Sequence, residues 1–529
     1  MTQLAGRFDA ASAHAAEGWS LTRLTQPSRL NGANGLRTGS DGRIYVAQVA
    51  GSKVSAINPD SGVIETISPM GGGIVAPDDL VFDDDGNLYC TEITEGRVSM
   101  LSPDGTSRVL QGDMPVANPI TYHQGHLIAG ECRVGARIME LDRNGGAPRV
   151  ILDNVPMVNA FEVGPDGKLY FPVMGTNEIW RVSLDGGEPE VVAKDLGVPD
   201  SVKFHPDGSI ISTQVASGQV LKIDPRTGDK TVLADIGPGL DNVTFVGGRT
   251  FVSHITGSIH EILEPGKVRA LVDKGLQWPL GLAVGAEGEL FVSDGGFTYT
   301  LRSGGALELA GLLFTPGFPG WSRAVVADGA GQWIVTTANG DVTRWRPAAM
   351  EHDVLYSGYD RLMGVALDGR GGVVFAEAGT GRVLLGEGAA VSELASGLAM
   401  PIGVAVADGT VFVAEADAGR VVKLAGGKAE TVIDGLSRPE GIAIAGGKLY
   451  TVDTVAKQVI ECDLSGGARR VIGADLPVGA PQGVVGRQTG GVGDMCGPMW
   501  SFTGIAAGAD GTIYVAGDAE GSVLALRRA

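Results

Sequence analysis

The 529-residue chain has few aromatics, few cysteines, a deficit of positive charge and no long apolar run. Each shortage closes off a class of protein. Phe, Trp and Tyr make up only 6% of the residues, which a disordered chain could share, but a hydrophobic fraction of 43% is enough to build cores. Four cysteines, Cys90, Cys132, Cys462 and Cys496, lack C-x-x-C spacing and do not form a disulfide framework or a zinc site. They read as small core residues in a reducing compartment. Lys and Arg number 41 against 61 Asp and Glu, and the net charge of -20 repels phosphate backbones and anionic membranes, so neither nucleic acid nor a membrane is expected as a partner. The opening "MTQLAGRFDAASAHAAEGW" has no basic segment leading into an apolar run, and a soluble cytoplasmic protein is expected. Helical periodicity is almost absent. Glycine is abundant, 83 residues beside 26 prolines, as turns between short strands require.

The turns punctuate a repeat with a period of about forty residues. Each unit has an apolar strand, a Gly or Asp-Gly turn, a second strand of the "(I/L)YV" type, and then an "RV" or "QV" strand. The second-strand cores are RIYVAQ, NLYCTE, HLIAGE, KLYFPV, SIISTQ, RTFVSH, ELFVSD, QWIVTT, GVVFAE, TVFVAE, KLYTVD and TIYVAG. Such strands at even spacing predict an all-β fold of four-stranded propeller blades. Since propellers usually have about four to eight blades, twelve units predict two six-bladed β-propellers in tandem. The chain ends one strand short of a blade, at "GSVLALRRA", whereas "GWSLTRLTQ" (18–26) precedes the first repeat. If that N-terminal strand closes the sixth blade, "KVRALVDKGL" (267–276) is free to close the twelfth. The expected division is a tail at 1–16, one propeller at 17–266 and a second at 267–529.

Aligning the repeats on the first strand isolates one position, two residues before its first apolar residue. In units one to six it holds Asn34, Asp78, Asn118, Asn159, Asp200 and Asp241; in units seven to twelve it holds Leu280, Ser322, Met363, Ile402, Glu440 and Thr503. The second half is an internal control for the first. In a propeller this position faces the channel mouth, and the second strand ends at the same mouth with Gln48, Glu92, Glu131, Val173, Gln214 and His254. Asn and Asp also start strands through local side-chain turns. As a ring confined to one half, however, these oxygens suit a hard cation, Ca²⁺ first, which takes about six to eight oxygen ligands. Amide oxygens spare the ring some of the repulsion that six carboxylates would suffer.

With those residues placed, residues 17–266 resemble the six-bladed calcium propellers of the senescence marker protein/gluconolactonase/luciferin-regenerating family. The resemblance implies metal ligation by Asn118, Asn159 and Asp200 at the third, fourth and fifth blades. It departs at the first blade, where Asn34 stands in place of a Glu, so that Asp78, Asp241, Glu92 or Glu131 must supply the missing charge. It further implies a hydrolase of lactones or related esters. His254 is the expected base for water, with Glu131 and Glu92 as alternatives. His123, His126 and His205 fall in turns on the opposite face.

The second half, with "RPEGIAIAGGKLYTVDT" and "MPIGVAVADGTVFVAEADAGRV", resembles NHL-type repeats. There Asp294, Glu377, Glu415 and Asp453 are expected to brace turns. Phe318, Trp321, Met499 and Trp500 are expected near one face, either as the rim of an apolar pocket or as packing. Two other functions stay open: a metal-dependent lyase that opens a lactone by elimination, as propeller lyases of the virginiamycin type do, and a non-enzymatic twin-propeller binding scaffold.

Overall fold

Short strands and glycine turns build the structure by local hairpins. In one repeat, Pro77–Phe82, Leu88–Glu92, Arg97–Leu101 and Ser107–Gln111 form a four-stranded antiparallel meander. Its first turn is fixed by Asp83, whose Oδ1 accepts the N–H groups of Asp85 and Asn87 at 3.0 and 2.9 Å, while Gly86 takes φ 82°. This computed structural model describes residues 7, 13–302, 305–313, 315–486 and 488–529. Among them are twelve antiparallel sheets, eleven of four strands and one of five, with only two 3-10 turns, Met174–Thr176 and Pro347–Ala349. No helix among the described residues is long and apolar enough to cross a membrane.

The chain divides into two compact units. The first comprises Arg29–Gly275 with Val492–Asp494; the second comprises Leu276–Gly491, Met495–Ala529 and the described part of Ala5–Ser28. In the first unit, the innermost strand of each sheet lies against that of the next, and Leu240–Val246 returns to Leu36–Thr38. The second unit closes in the same way, with Ile505–Ala507 beside Leu282–Val284. Apolar side chains fill the gaps between sheets: Val81, Tyr89, Val98 and Met100 of one sheet pack on Leu127, Ala129 and Met139 of its neighbour.

The closing strands differ from expectation. Trp19–Arg23 pairs with Ser522–Arg528 from Trp19↔Arg528 to Arg23↔Leu524, so it completes the last sheet of the second unit, not the sixth sheet. Lys267–Val272 stays beside Ile259–Glu264 in the sixth sheet. The expected divisions at 17–266 and 267–529 are corrected accordingly. The reason is local: Glu264 faces Lys267 across Pro265–Gly266, with Gly266 at φ 77°, a hairpin that costs little chain entropy to close. Trp19 is buried against Tyr450, Ile472 and Leu526, and Arg23 reaches Glu520 at 2.7 Å.

Candidate functional site

The ring position of the first unit owes its placement to two backbone irregularities. Two residues before each ring residue the chain turns through the left-handed region, at Gly32, Ala76, Val116, Met157, Val198 and Gly239, with φ of 84°, 44°, 57°, 65°, 61° and 107°. Only two of these are glycines. A β-branched valine in this conformation is strained, and Val116 and Val198 both adopt it two residues before Asn118 and Asp200. At or just after the ring residue the ladder slips, as between Pro77 and Leu80, Ala117 and Ile120, and Leu240 and Val243. Such a bulge re-aims side chains, and in two places it turns a second polar residue inward, Asp79 and Asn242.

The ring side chains are all buried, and their oxygens are used unequally. Asn34 spends its amide: its Nδ2 donates to Asp241 Oδ2 at 3.1 Å and its Oδ1 accepts Val49 N–H at 3.3 Å. Asn159 Oδ1 accepts the Ala160 N–H at 2.8 Å, and its Nδ2 lies 3.5 Å from Met174 Sδ. Asn118 Oδ1 and Asp200 Oδ1, by contrast, are buried with no hydrogen-bond partner. Asp78, Asp200 and Asp241 feel one another's charge. Burial and then Asp79 push Asp78 up to about 8. Burial, then Asp78 and Asp79, hold Asp200 well above the usual carboxylate range; burial, then Asp200 and Asp78, do the same to Asp241. Among the described residues, no three His, Cys, Asp or Glu side chains form a ready-made metal cluster. The mouth offers a mixed set of carboxylate and amide oxygens instead.

Beneath the ring lie groups that the repeat alignment does not select. Asp79 accepts the N–H groups of Leu80 at 2.8 Å and Ile120 at 3.2 Å. Lys203 is buried within 3.4 Å of Phe161 O; burial, helped by Arg37 and opposed by Asp79 and Glu162, lowers its ammonium to about 8. Arg37 donates to Leu80 O and Ile120 O, both at 3.1 Å. The signal for this layer was present in the sequence, a charged residue inside an otherwise apolar inner strand, as in "PDSVKF".

The residues expected to act as base are engaged elsewhere. His254 Nε2 donates to Pro238 O at 2.8 Å and Nδ1 accepts from Thr256 Oγ1 at 2.9 Å; burial, then His260, lowers the imidazole to about 4. Both ring nitrogens are committed, and the charged neighbours that shift it are His260 and Lys274, not the ring carboxylates. Glu131 is clamped between Arg133 at 2.7 Å and Arg137, and Glu92 binds Arg97 at 2.6 Å. Each of the three side chains expected to be catalytic thus holds structural partners within its own sheet or turn. At the same phase Gln48 and Gln214 accept the N–H groups of Asn31 and Gly197 at 2.8 and 2.9 Å. In the second unit Asp294, Glu377, Glu415 and Asp453 accept from Gln277, Asp360, Ala399 and Ser437, sixteen or seventeen residues upstream. Here the expected turn brace is what the structure shows.

The inner strands of the second unit leave little room. Gly281, Gly364, Gly403, Gly441 and Gly504 follow the ring position, and a Cβ there would meet a neighbouring backbone oxygen at 2.1 to 2.5 Å. A cavity of only about 40 Å³ remains beside them. Arg323 stands where a sixth glycine would, buried, donating to Leu362 O at 2.8 Å and to Pro498 O. Phe318 packs on Trp345 and Trp321 on Trp278, at centroid distances of 5.5 and 5.9 Å, and Met499 is buried. Of the expected aromatic rim only Trp500 keeps partial exposure, under Arg361 at 4.7 Å.

The sequence matches no known protein family and no curated protein. Among solved structures, similarity is found to a streptogramin B lyase, at 18% identity and TM-score 0.39 over 52% of this chain and 94% of that one. A virginiamycin B lyase from Staphylococcus aureus follows at 14% and 0.32, over 62% and 96%. A gluconolactonase from Xanthomonas campestris gives 15% and 0.39, over 47% and 97%. At these scores neither an activity nor a ligand passes to this chain, and the residues of the mouth have to speak for themselves.

Proposed function

We propose that the two units are six-bladed β-propellers and that the first opens a lactone or related ester at its acidic mouth, with a divalent cation, Ca²⁺ first, held there. The observation that carries this reading is the set of buried, unsatisfied oxygens. Asp78, Asp200 and Asp241 are buried, with the charge of Asp78 acting on Asp200 and those of Asp200 and Asp78 on Asp241, and two oxygens, on Asn118 and Asp200, have no hydrogen-bond partner. Burying unpaired charge and unsatisfied acceptors costs several kcal/mol, roughly, unless a cation offsets it. The donor types fit a hard ion.

Asp200, Asp78, Asp241 and Asn118 would hold the ion, with Asn159 beside them and Asn34 fixing the orientation of Asp241 through its amide. A divalent ion bound there supplies a Lewis acid for the carbonyl oxygen.

Calorimetry with Ca²⁺ and a panel of lactones and esters test the reading. Asp200→Asn removes a charge from a free oxygen and should weaken Ca²⁺ by about tenfold or more. Asn159→Ala should weaken it less, because that oxygen already serves Ala160. Asp453→Asn, a turn brace of the second unit, should leave binding unchanged. Product mass separates chemistries: hydrolysis adds one water, and elimination leaves an isomeric alkene. Absence of both cation binding and turnover would overturn the proposal and favour a binding scaffold.

A further inference from the structure

One past the end of the second strands, the first unit carries Val49, Ile93, Cys132, Met174, Val215 and Ile255. These residues share one level. The N–H groups of Ile93, Cys132, Met174, Val215 and Ile255 all donate to the carbonyls of the left-handed residues, Ala76, Val116, Met157, Val198 and Gly239, at 2.8 to 3.3 Å, Cys132 and Met174 both at 2.8 Å. Two sulfurs meet at this level. Cys132 Sγ lies 4.0 Å from Met174 Sδ, and Met174 Sδ lies 3.5 Å from Nδ2 of the ring residue Asn159. The charges that act on the thiol are Asp200, Asp78 and Asp241, in that order. The matching positions of the second unit, Gly295, Ala338, Ala378, Ala416, Thr454 and Ala519, carry no sulfur. Cys90 and Cys462 are packed between sheets.

We propose that Cys132 and Met174 form a soft edge of the cation site, so that the mouth of the first unit also binds thiophilic divalent ions, with Cys132 as thiolate ligand and Met174 as thioether neighbour. The proposal rests on the reading of the mouth as a cation site. Thiolate and thioether donors favour soft ions, and oxygen donors favour hard ones; a site with both takes an ion that tolerates both. Cd²⁺ is such an ion, close to Ca²⁺ in size and much softer. The unpartnered, buried oxygens of Asn118 and Asp200 supply the hard donors. On binding, the S–H bond of Cys132 breaks, the sulfur lone pair forms the bond to the metal, and the proton leaves to solvent. No oxidant or second reactant is needed.

The probe is Cd²⁺ alone, titrated into the full-length, metal-stripped protein, with ultraviolet charge-transfer absorption and calorimetry read together. The wild type should take up one Cd²⁺ with a thiolate band, and excess Ca²⁺ should abolish the band. Cys132→Ser should lose the band and bind Cd²⁺ at least about tenfold more weakly, with Ca²⁺ affinity within about twofold of wild type. Cys462→Ser should keep the band. Cadmium NMR on the wild type distinguishes sulfur from all-oxygen ligation and covers the case in which the variant does not fold. Cd²⁺ that competes with Ca²⁺ but shows no band, or a band that survives Cys132→Ser, overturns this proposal and leaves the cation site standing. Failure of both ions to bind overturns the cation site itself.

Discussion

A residue type in a repeat position says little until its partner is known. The ring asparagines and aspartates stood out because the second half of the chain lacks them at the same phase, and the structure gathers them at the inner strands of one unit. Glu92, Glu131 and His254 drew attention for their chemistry, yet the same phase holds Asp294, Glu377, Glu415 and Asp453 in the other half. That missing contrast was the signal that they brace turns. Asp79 and Lys203 lie one and three residues past the ring position, phases that hold charged or amide residues in only some of the six units, Asp79 and Asn242 at the first and Arg37, Glu162 and Lys203 at the second, so an alignment that looks for a complete ring passes over them. His254 therefore makes a clean test. His254→Ala removes partners from Pro238 O and from the Thr256 hydroxyl, which should cost about 1–3 kcal/mol in thermal or urea unfolding. Cation affinity should stay within a factor of about two, and turnover measured below the melting range should stay near wild type. A loss of turnover by several orders of magnitude in a folded variant would restore the imidazole to the mechanism.

At the scale of elements, the sequence shows strands and turns well and shows partners poorly. Most strands lie beside their sequence neighbours, because a tight turn leaves a hairpin few alternatives, and Pro265–Gly266 holds Lys267–Val272 to the strand before it. The N-terminal strand has no such turn. Trp19–Arg23 alternates as any edge strand does, and its place is decided by what buries Trp19 and pairs Arg23, namely Tyr450, Leu526 and Glu520. Deleting residues 1–27 should therefore bare the edge of Ser522–Arg528 and remove Trp19 from its core. The loss of a buried Trp alone costs about 3–5 kcal/mol. The transition of the second unit should shift down or vanish in calorimetry, with more aggregation, while Ca²⁺ binding by the remaining folded protein persists. Unchanged melting after that deletion would contradict the pairing.

For the molecule as a whole, charge and pH connect the site to stability. Asp78, Asp200 and Asp241 have folded-state values raised above those of an unfolded chain, so the native state holds protons that the unfolded state has released. Their stabilising contribution is complete below the unfolded value, about 4, and is lost as pH rises through the folded value, about 8 for Asp78. His254 acts in the other direction. Its value is lowered to about 4, so its contribution is complete above about 6.5 and is lost as pH falls through its folded value. Between about pH 6.5 and 8 the imidazole is silent and the carboxylates dominate; Lys203, lowered to about 8, begins to act in the opposite direction only at the upper end of the interval. In chelator, stability should fall across this interval, for Asp78 by about 2 kcal/mol, the product of about 1.4 kcal/mol per unit and about 1.5 units. That is a drop of several degrees for a unit of this size. A net charge of -20 pushes the same way. Ca²⁺, on the function proposed above, would bind the ionised ring, so its stabilisation should grow with pH and flatten or reverse the fall. Melting curves at both ends of the interval, with chelator and with Ca²⁺, decide the matter. Asp200→Asn should reduce the rescue by Ca²⁺, while Asp453→Asn should not. A melting profile that falls equally with and without Ca²⁺ would mean that the buried carboxylates are neutralised by protons alone.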